Sequence, residues 1–281
     1  YAIFPKKLSW IRVLAPSVWL LMAWLLACSG GASAAENAEG LAKKLANPIA
    51  DLISVPFQGN VNRGLGPDGD GQQLYVNVEP VIPIHLNSDW NIISRTIAPI
   101  TSQDQVVPGT GSQFGIGNVQ QSFFLSPSLP KNGVLWGVGP IVELPASDRL
   151  LGPREWGAGL TGVLVAQKGP WTTGLLAHQL WPLADTSASG TDRQTYLQPF
   201  LAYTTKNAWT FTINSESTYQ WLDGQWSVPL NLQVAKLVKI GELPVSFFAG
   251  ARYWAASPAQ AGPEGWGARF GLTLLLPTGQ P

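Results

Sequence analysis

Charged residues make up only 12% of this 281-residue chain, so those inside patterned apolar segments are the first place to look for chemistry. They are Glu79, Arg95, Glu143, Glu216, Lys236, Lys239, Arg252 and Arg269. Acids and bases in such surroundings can pair with one another, as buried charges must, or line a polar passage and set its selectivity. Catalysis finds less support. A hydrolase needs a serine, a histidine and an orienting polar group brought together. The chain has His85 and His178, but no local motif marks a nucleophile. No His, Cys, Asp or Glu cluster has metal-ligand spacing. The glycine-rich stretch 111–117 precedes a strand pattern rather than a helix, so it is no phosphate loop. Asp68 and Asp70, set among Gly66, Gly69 and Gly71, lack the closing Glu of a calcium loop and read as a solvated turn. The expectation is a non-enzyme without metal or cofactor.

The elements that must position these charges are strands. From Ile53 onward apolar and polar residues alternate, most clearly over Trp209-Thr210-Phe211-Thr212-Ile213-Asn214-Ser215-Glu216. A strand in a closed barrel, with lipid outside and a wet lumen inside, needs that period of two. Spans near 53–61, 72–86, 89–100, 114–126, 133–145, 156–167, 170–181, 194–205, 208–220, 225–238, 243–255 and 264–276 carry it. The fold class is therefore all-β, an antiparallel outer-membrane β-barrel of about 12 strands. Short connections at Asn87-Ser88, Lys168-Gly169, Lys206-Asn207 and Gly241-Glu242 alternate with long loops rich in Gly, Pro, Asp and Ser. That is the asymmetry of short periplasmic turns and longer outer loops. Asp223-Gly224 departs from it, a tight turn where a long loop is due.

Glu216 falls opposite Trp209, Phe211 and Ile213 in the alternation, and Arg269 opposite Trp266, Ala268, Phe270 and Leu272. A basic side chain facing the bilayer midplane costs roughly 2–4 kcal/mol. Glu79, Arg95, Glu143, Glu216, Arg252 and Arg269 are accordingly assigned to the lumen. Ten of the 13 Trp, namely Trp90, Trp136, Trp156, Trp171, Trp181, Trp209, Trp221, Trp226, Trp254 and Trp266, lie near strand ends. An indole suits the lipid–water boundary, so they are assigned to aromatic girdles.

Upstream of the barrel, Lys6, Lys7 and Arg12, the apolar run Val13–Cys28 and the small residues Ala32-Ser33-Ala34 form a secretory signal peptide over 1–34. The run is shorter than the roughly 20 apolar residues of a spanning helix. Cys28, the one cysteine, falls within it, and Leu25-Leu26-Ala27-Cys28 also resembles a lipobox. Without it the mature chain can form no internal disulfide. Residues 35–52 are expected as a short amphipathic helix with Leu41, Leu45, Ile49 and Leu52 on one face and Pro48 weakening it. A periplasmic lead-in is the favoured placement and a plug in the lumen the alternative. The barrel takes residues 53–281. Net charge is zero, which gives no electrostatic case for nucleic acid.

Several stretches resemble a known group. They are LAKKLANPIADLISVPFQGN at 41–60, VEPVIPIHLNSDWNIISRTIAPI at 78–100, GSQFGIGNVQQSFFLSP at 111–127, LWGVGPIVELP at 135–145, EWGAGLTGVLVAQKGPWTTGLLAHQLW at 155–181 and PEGWGARFGLTLLLP at 263–277. They are similar to bacterial outer-membrane transporters of the family named after the meta-pathway of phenol degradation, some carrying the automatic label neuromedin U. The resemblance implies an outer-membrane barrel with a role in solute passage, and it offers no catalytic residues. The expected location is the outer membrane of a Gram-negative bacterium, reached by the secretory pathway, with outer-membrane lipid and the barrel assembly machinery as partners. The expected function is passive passage of small solutes, apolar or aromatic ones included. A closed structural or binding barrel is the alternative, and a membrane-embedded hydrolase ranks last.

Overall fold

The computed structural model describes residues 32–148, 150–152, 154, 156–183, 193–259 and 262–276. Residues 1–31 of the expected signal peptide, including Cys28, lie outside the described residues. The chain opens with helix α1, Ala32–Leu45. The strands follow as β1 Ile53–Leu65, β2 Gly71–Val78, β3 Val81–His85, β4 Trp90–Asp104, β5 Gln113–Ile116, β6 Val119–Pro127, β7 Val134–Leu144 and β8 Gly157–Lys168. Then come β9 Trp171–Pro182, β10 Gln194–Thr204, β11 Trp209–Ser215, β12 Ser217–Gln220, β13 Gln225–Ile240, β14 Leu243–Ala256 and β15 Gly265–Leu276.

These strands close into a 12-strand antiparallel barrel. Closure comes from β1 pairing with β15, from Ile53↔Leu276 to Val61↔Ala268, which leaves no sheet edge for lipid to strip of hydrogen bonds. Three of the expected spans are split. The break between β2 and β3 falls at Glu79-Pro80, where proline offers the ladder no N–H. Register is kept across it, Val78↔Ala98 on one side and Val81↔Arg95 on the other. Between β5 and β6 the pairing shifts by one residue, Ile100↔Ile116 against Ile97↔Gln120, a bulge at Gly117-Asn118. The third break is the single residue Glu216 between β11 and β12, and Pro229 lies across from it on β13 between Leu230 and Val228.

Alternation places side chains as a half-buried period of two requires. On β8, Leu160 and Leu164 are exposed on the outer face, while Thr161, Val163 and Val165 point inward and are buried. At the short-turn end one group of inward residues forms an apolar seat. Ile49, 1% exposed, packs among Val81, Ile93, Phe124, Leu135, Val163, Val165 and Leu176. Across from it Ala42 packs with Ala208, Leu237 and Leu275, flanked by Leu41, Leu45 and Leu52. Residues 42–50 therefore sit inside the barrel end, not below it as a lead-in would.

The helix is also shorter than the expected apolar face, which carries on to Leu52. It ends at Leu45 because a proline at 48 would clash with the carbonyl one turn back. Asn47 makes the reversal, its Oδ1 accepting from the Ile49 N–H at 3.1 Å. That turn drives Ile49 into the seat. Gly137 leaves it room, since a Cβ there would stand 3.0 Å from Phe124 Cβ and 3.5 Å from Ile49 Cδ1. Gln167 Nε2 donates to the Lys43 carbonyl at 3.0 Å, and His85 Nε2 lies 3.5 Å from Asp51 Oδ1.

Burying an isoleucine is worth about 1.5–3 kcal/mol, so Ile49 is the main anchor of this segment. Ile49→Asp is expected to raise the rate of trypsin cleavage after Lys43 and Lys44 in the folded protein about tenfold or more. A rate equal to that of the unaltered protein would show that Ile49 does not seat the segment.

Candidate functional site: a charged belt between two cavities

Halfway along the lumen the strands bring five charged side chains together. Glu216 occupies the ladder break of β11–β12, and its carboxylate is held by two guanidinium groups. Arg269 on β15 donates to both of its oxygens, at 2.7 and 2.6 Å, and Arg252 on β14 donates to Oε2 at 3.1 Å. Such a two-pronged contact between planar groups is among the strongest ion pairs proteins make. Asn60 on β1 ties the arginines together, its Oδ1 accepting from Arg269 Nε at 2.8 Å and Arg252 Nη1 at 3.0 Å. Arg252 also donates to the Tyr75 hydroxyl on β2 and stacks over Trp254, 4.9 Å from its ring centre. Arg269 and Arg252 are only 1% and 2% exposed.

A second pair stands on another arc of the wall. Arg95 on β4 donates to Glu79 Oε2 at 2.8 Å, and Asn77 on β2 donates to Glu79 Oε1 at 3.2 Å. Nearby, His178 on β9 stacks flat on Tyr196 of β10, with ring centres 4.6 Å apart. This belt divides the lumen. A cavity of about 300 Å³ opens on its long-loop side and one of about 230 Å³ on its short-turn side. Gln58, Glu79, Arg95 and Glu216 border both. The inner cavity is walled further by residues 44–48 of the N-terminal segment.

Of the residues assigned to the lumen, Glu79, Arg95, Glu216, Arg252 and Arg269 meet in this belt. Glu143 stands nearer the long loops, where its carboxylate accepts from Asn118 at 3.2 Å and Gln120 at 2.9 Å. Lys236 lies over the Trp209 ring and donates to the Asn207 carbonyl in a short turn, at the membrane boundary. Lys239 is exposed and lies 3.9 Å from Glu242.

The tryptophans form two groups. Trp90 meets Trp136 edge-on at 5.8 Å, and Trp171 meets Tyr203 at 4.8 Å, both by the short turns, where Trp209 also begins its strand. Trp266 packs with Tyr253 at 5.0 Å and Trp221 and Trp226 with Tyr219 by the long loops, where Trp156 and Trp181 are exposed. Trp254 is a correction to the girdle assignment. It shares the inward parity of Arg252, and its indole N–H donates to Asn62 Oδ1 at 3.2 Å inside the barrel. Position near a strand end drew the assignment, but parity decides the face. Asn60, Tyr75 and Tyr196 escaped notice because they carry no formal charge. Their inward parity was the available signal.

Neither histidine meets a serine hydroxyl among the described residues. His85 Nδ1 lies 3.0 Å from Asn91 Oδ1, and Ser128 Oγ reaches that same asparagine oxygen at 3.2 Å rather than the ring. His178 is stacked on Tyr196 and its Nε2 has no partner.

No family model matches this chain, including any for the phenol-pathway family that its sequence stretches resemble. No curated protein is similar enough in sequence to count as a relative. Solved structures do match in fold. The COG4313 outer membrane channel from Pseudomonas putida F1 superposes with a TM-score of 0.62 at 13% identity, covering 80% of this chain and 94% of that one. Outer membrane phospholipase A from Escherichia coli gives 0.46 at 12% identity, over 80% of this chain and 97% of that one. The chain thus has the fold of outer-membrane β-barrels.

The belt is the testable core of the site. Glu216→Ala leaves two buried guanidinium groups without their shared carboxylate, a defect that costs about 3–5 kcal/mol. The expected result is a clearly lowered urea midpoint for unfolding from lipid bilayers. A midpoint within error of the unaltered protein would mean that the arginines find water or other partners.

Proposed function

We propose that this protein is an outer-membrane channel through which small solutes pass passively, closed at its inner end by residues 42–50. The observation that carries the reading is the pair of neighbouring cavities in the lumen, which share Gln58, Glu79, Arg95 and Glu216 as a common border. The likeness in fold to an outer membrane channel supports it. The two aromatic groups at opposite strand ends support a place in the outer membrane, and export through the secretory pathway fits the basic and apolar run at 6–28. Phe124, Ile141 and Leu176 give the outer cavity one apolar wall. That wall supports the passage of compounds with an apolar or aromatic face.

The apolar seat of Ile49 favours one other reading, a closed barrel that binds a solute without releasing it inward. Conductance in a planar bilayer separates the two. Brief, small steps are expected from the unaltered protein, and longer and larger ones from Ile49→Asp. Glu216→Ala adds net positive charge to the belt and is expected to shift permeability toward anions. Silence from both proteins, with folding verified by heat-modifiable migration, would overturn the channel reading in favour of the closed barrel.

A further inference from the structure

The outer cavity shows which solutes it suits through the groups left unused after its own side chains have paired. Its charges largely satisfy each other. Glu79 is taken by Arg95 and Asn77, and Glu216 by Arg269 and Arg252. A cation entering here would have to displace an arginine from its carboxylate and leave that arginine uncompensated, which is costly away from water. Unpaired among the described residues that line the cavity are mostly neutral groups. The amides of Gln58 and Gln194 and the hydroxyls of Thr218 and Ser227 have no side-chain partner. Each amide presents both a donor and an acceptor, and each hydroxyl can do either. The Arg252 Nε–H is also without a partner, as is the His178 ring Nε2.

The approach to the cavity continues the pattern. Trp254 Nε1 donates to Asn62, Asn62 to Gln73 at 3.2 Å, Gln73 to Gln103 at 3.1 Å and Gln103 to Gln113 at 2.8 Å. This relay of neutral amides runs across four neighbouring strands towards the long loops. Flat rings complete the cavity, with Tyr75 and Trp254 by Arg252 and Tyr196 by His178. Rings pack against the C–H face of a saturated ring, while amides and hydroxyls read its edge.

We propose that the outer cavity is a binding site for a neutral, hydroxyl-rich ring of monosaccharide size. A volume of about 300 Å³ is at the small end of ligand pockets. The inference rests on the channel reading only for how the solute arrives, because binding is measurable without passage.

The experiment is a titration of the full-length folded protein with D-glucose and, separately, benzoate, followed by tryptophan fluorescence, with Trp254 as the reporter within the cavity. Saturable quenching by glucose in the millimolar range is expected, with none by benzoate. Gln194→Leu and Gln58→Leu remove amides that hold no partner, so both should fold, and each should weaken glucose binding about tenfold. Trp254→Phe should abolish the signal, while isothermal calorimetry on that variant still detects heat. Saturable benzoate binding without glucose binding would overturn the proposal in favour of an aromatic anion, and no saturable binding of either would overturn it outright. Bilayer conductance run alongside keeps the readings apart. A conducting protein that ignores glucose loses only this inference, and a silent one that binds glucose loses only passage.

Discussion

The clamp of Arg269 and Arg252 on Glu216 is the contact on which the rest of the lumen depends. Stripping three charges of water in a narrow barrel costs several kcal/mol per ion unless each finds a well-placed opposite. Glu216 meets that demand with both oxygens, and Asn60 and Tyr75 take the guanidinium hydrogens left over. The network joins β1, β2, β14 and β15 to the break at β11–β12, and so fixes the side chains around the strands that close the barrel. It also explains the break. Glu216 makes no ladder pairing in the strand register, and Pro229 across from it has no N–H to offer.

The belt sets the character of the two halves. Toward the long loops the inward residues are amides, hydroxyls and rings, suited to a wet lumen. Toward the short turns polar residues such as Thr210, Thr212 and Thr273 share the wall with an apolar patch of Val, Ile, Leu and Phe side chains. The N-terminal segment covers that patch. Its turn at Asn47-Pro48 buries Ile49 against one wall while Ala42, Leu41 and Leu45 meet the other. A barrel of this size has an interior that side chains can nearly fill, so one helix and one turn reach both of its walls. The N-terminal segment and the belt thus bind the lumen's walls by different chemistry, one through apolar area and one through charge.

The strand count was legible because a period of two marks each strand and assigns its faces without knowledge of any partner. Arg269 and Glu216 could be set on the lumen side from their own neighbours alone. Trp254 lies near a strand end, which favours a girdle, yet its parity turns it into the barrel. The importance of Asn60, Tyr75 and Tyr196 lies in whom they touch, which no local pattern carries. Asn60 matters by standing between two arginines some two hundred residues away in the chain.

By itself, then, the order of residues determined the class of fold, the alternation of faces and the scarcity of charge, since each is a local property of consecutive side chains. Only the tertiary structure decided which charges pair, where the strands break and whether residues 42–50 stand below the barrel or within it. Those outcomes turn on register and closure, which bring β15 beside β1 and the N-terminal turn into the lumen. Contacts between distant parts of the chain leave no period in it to read.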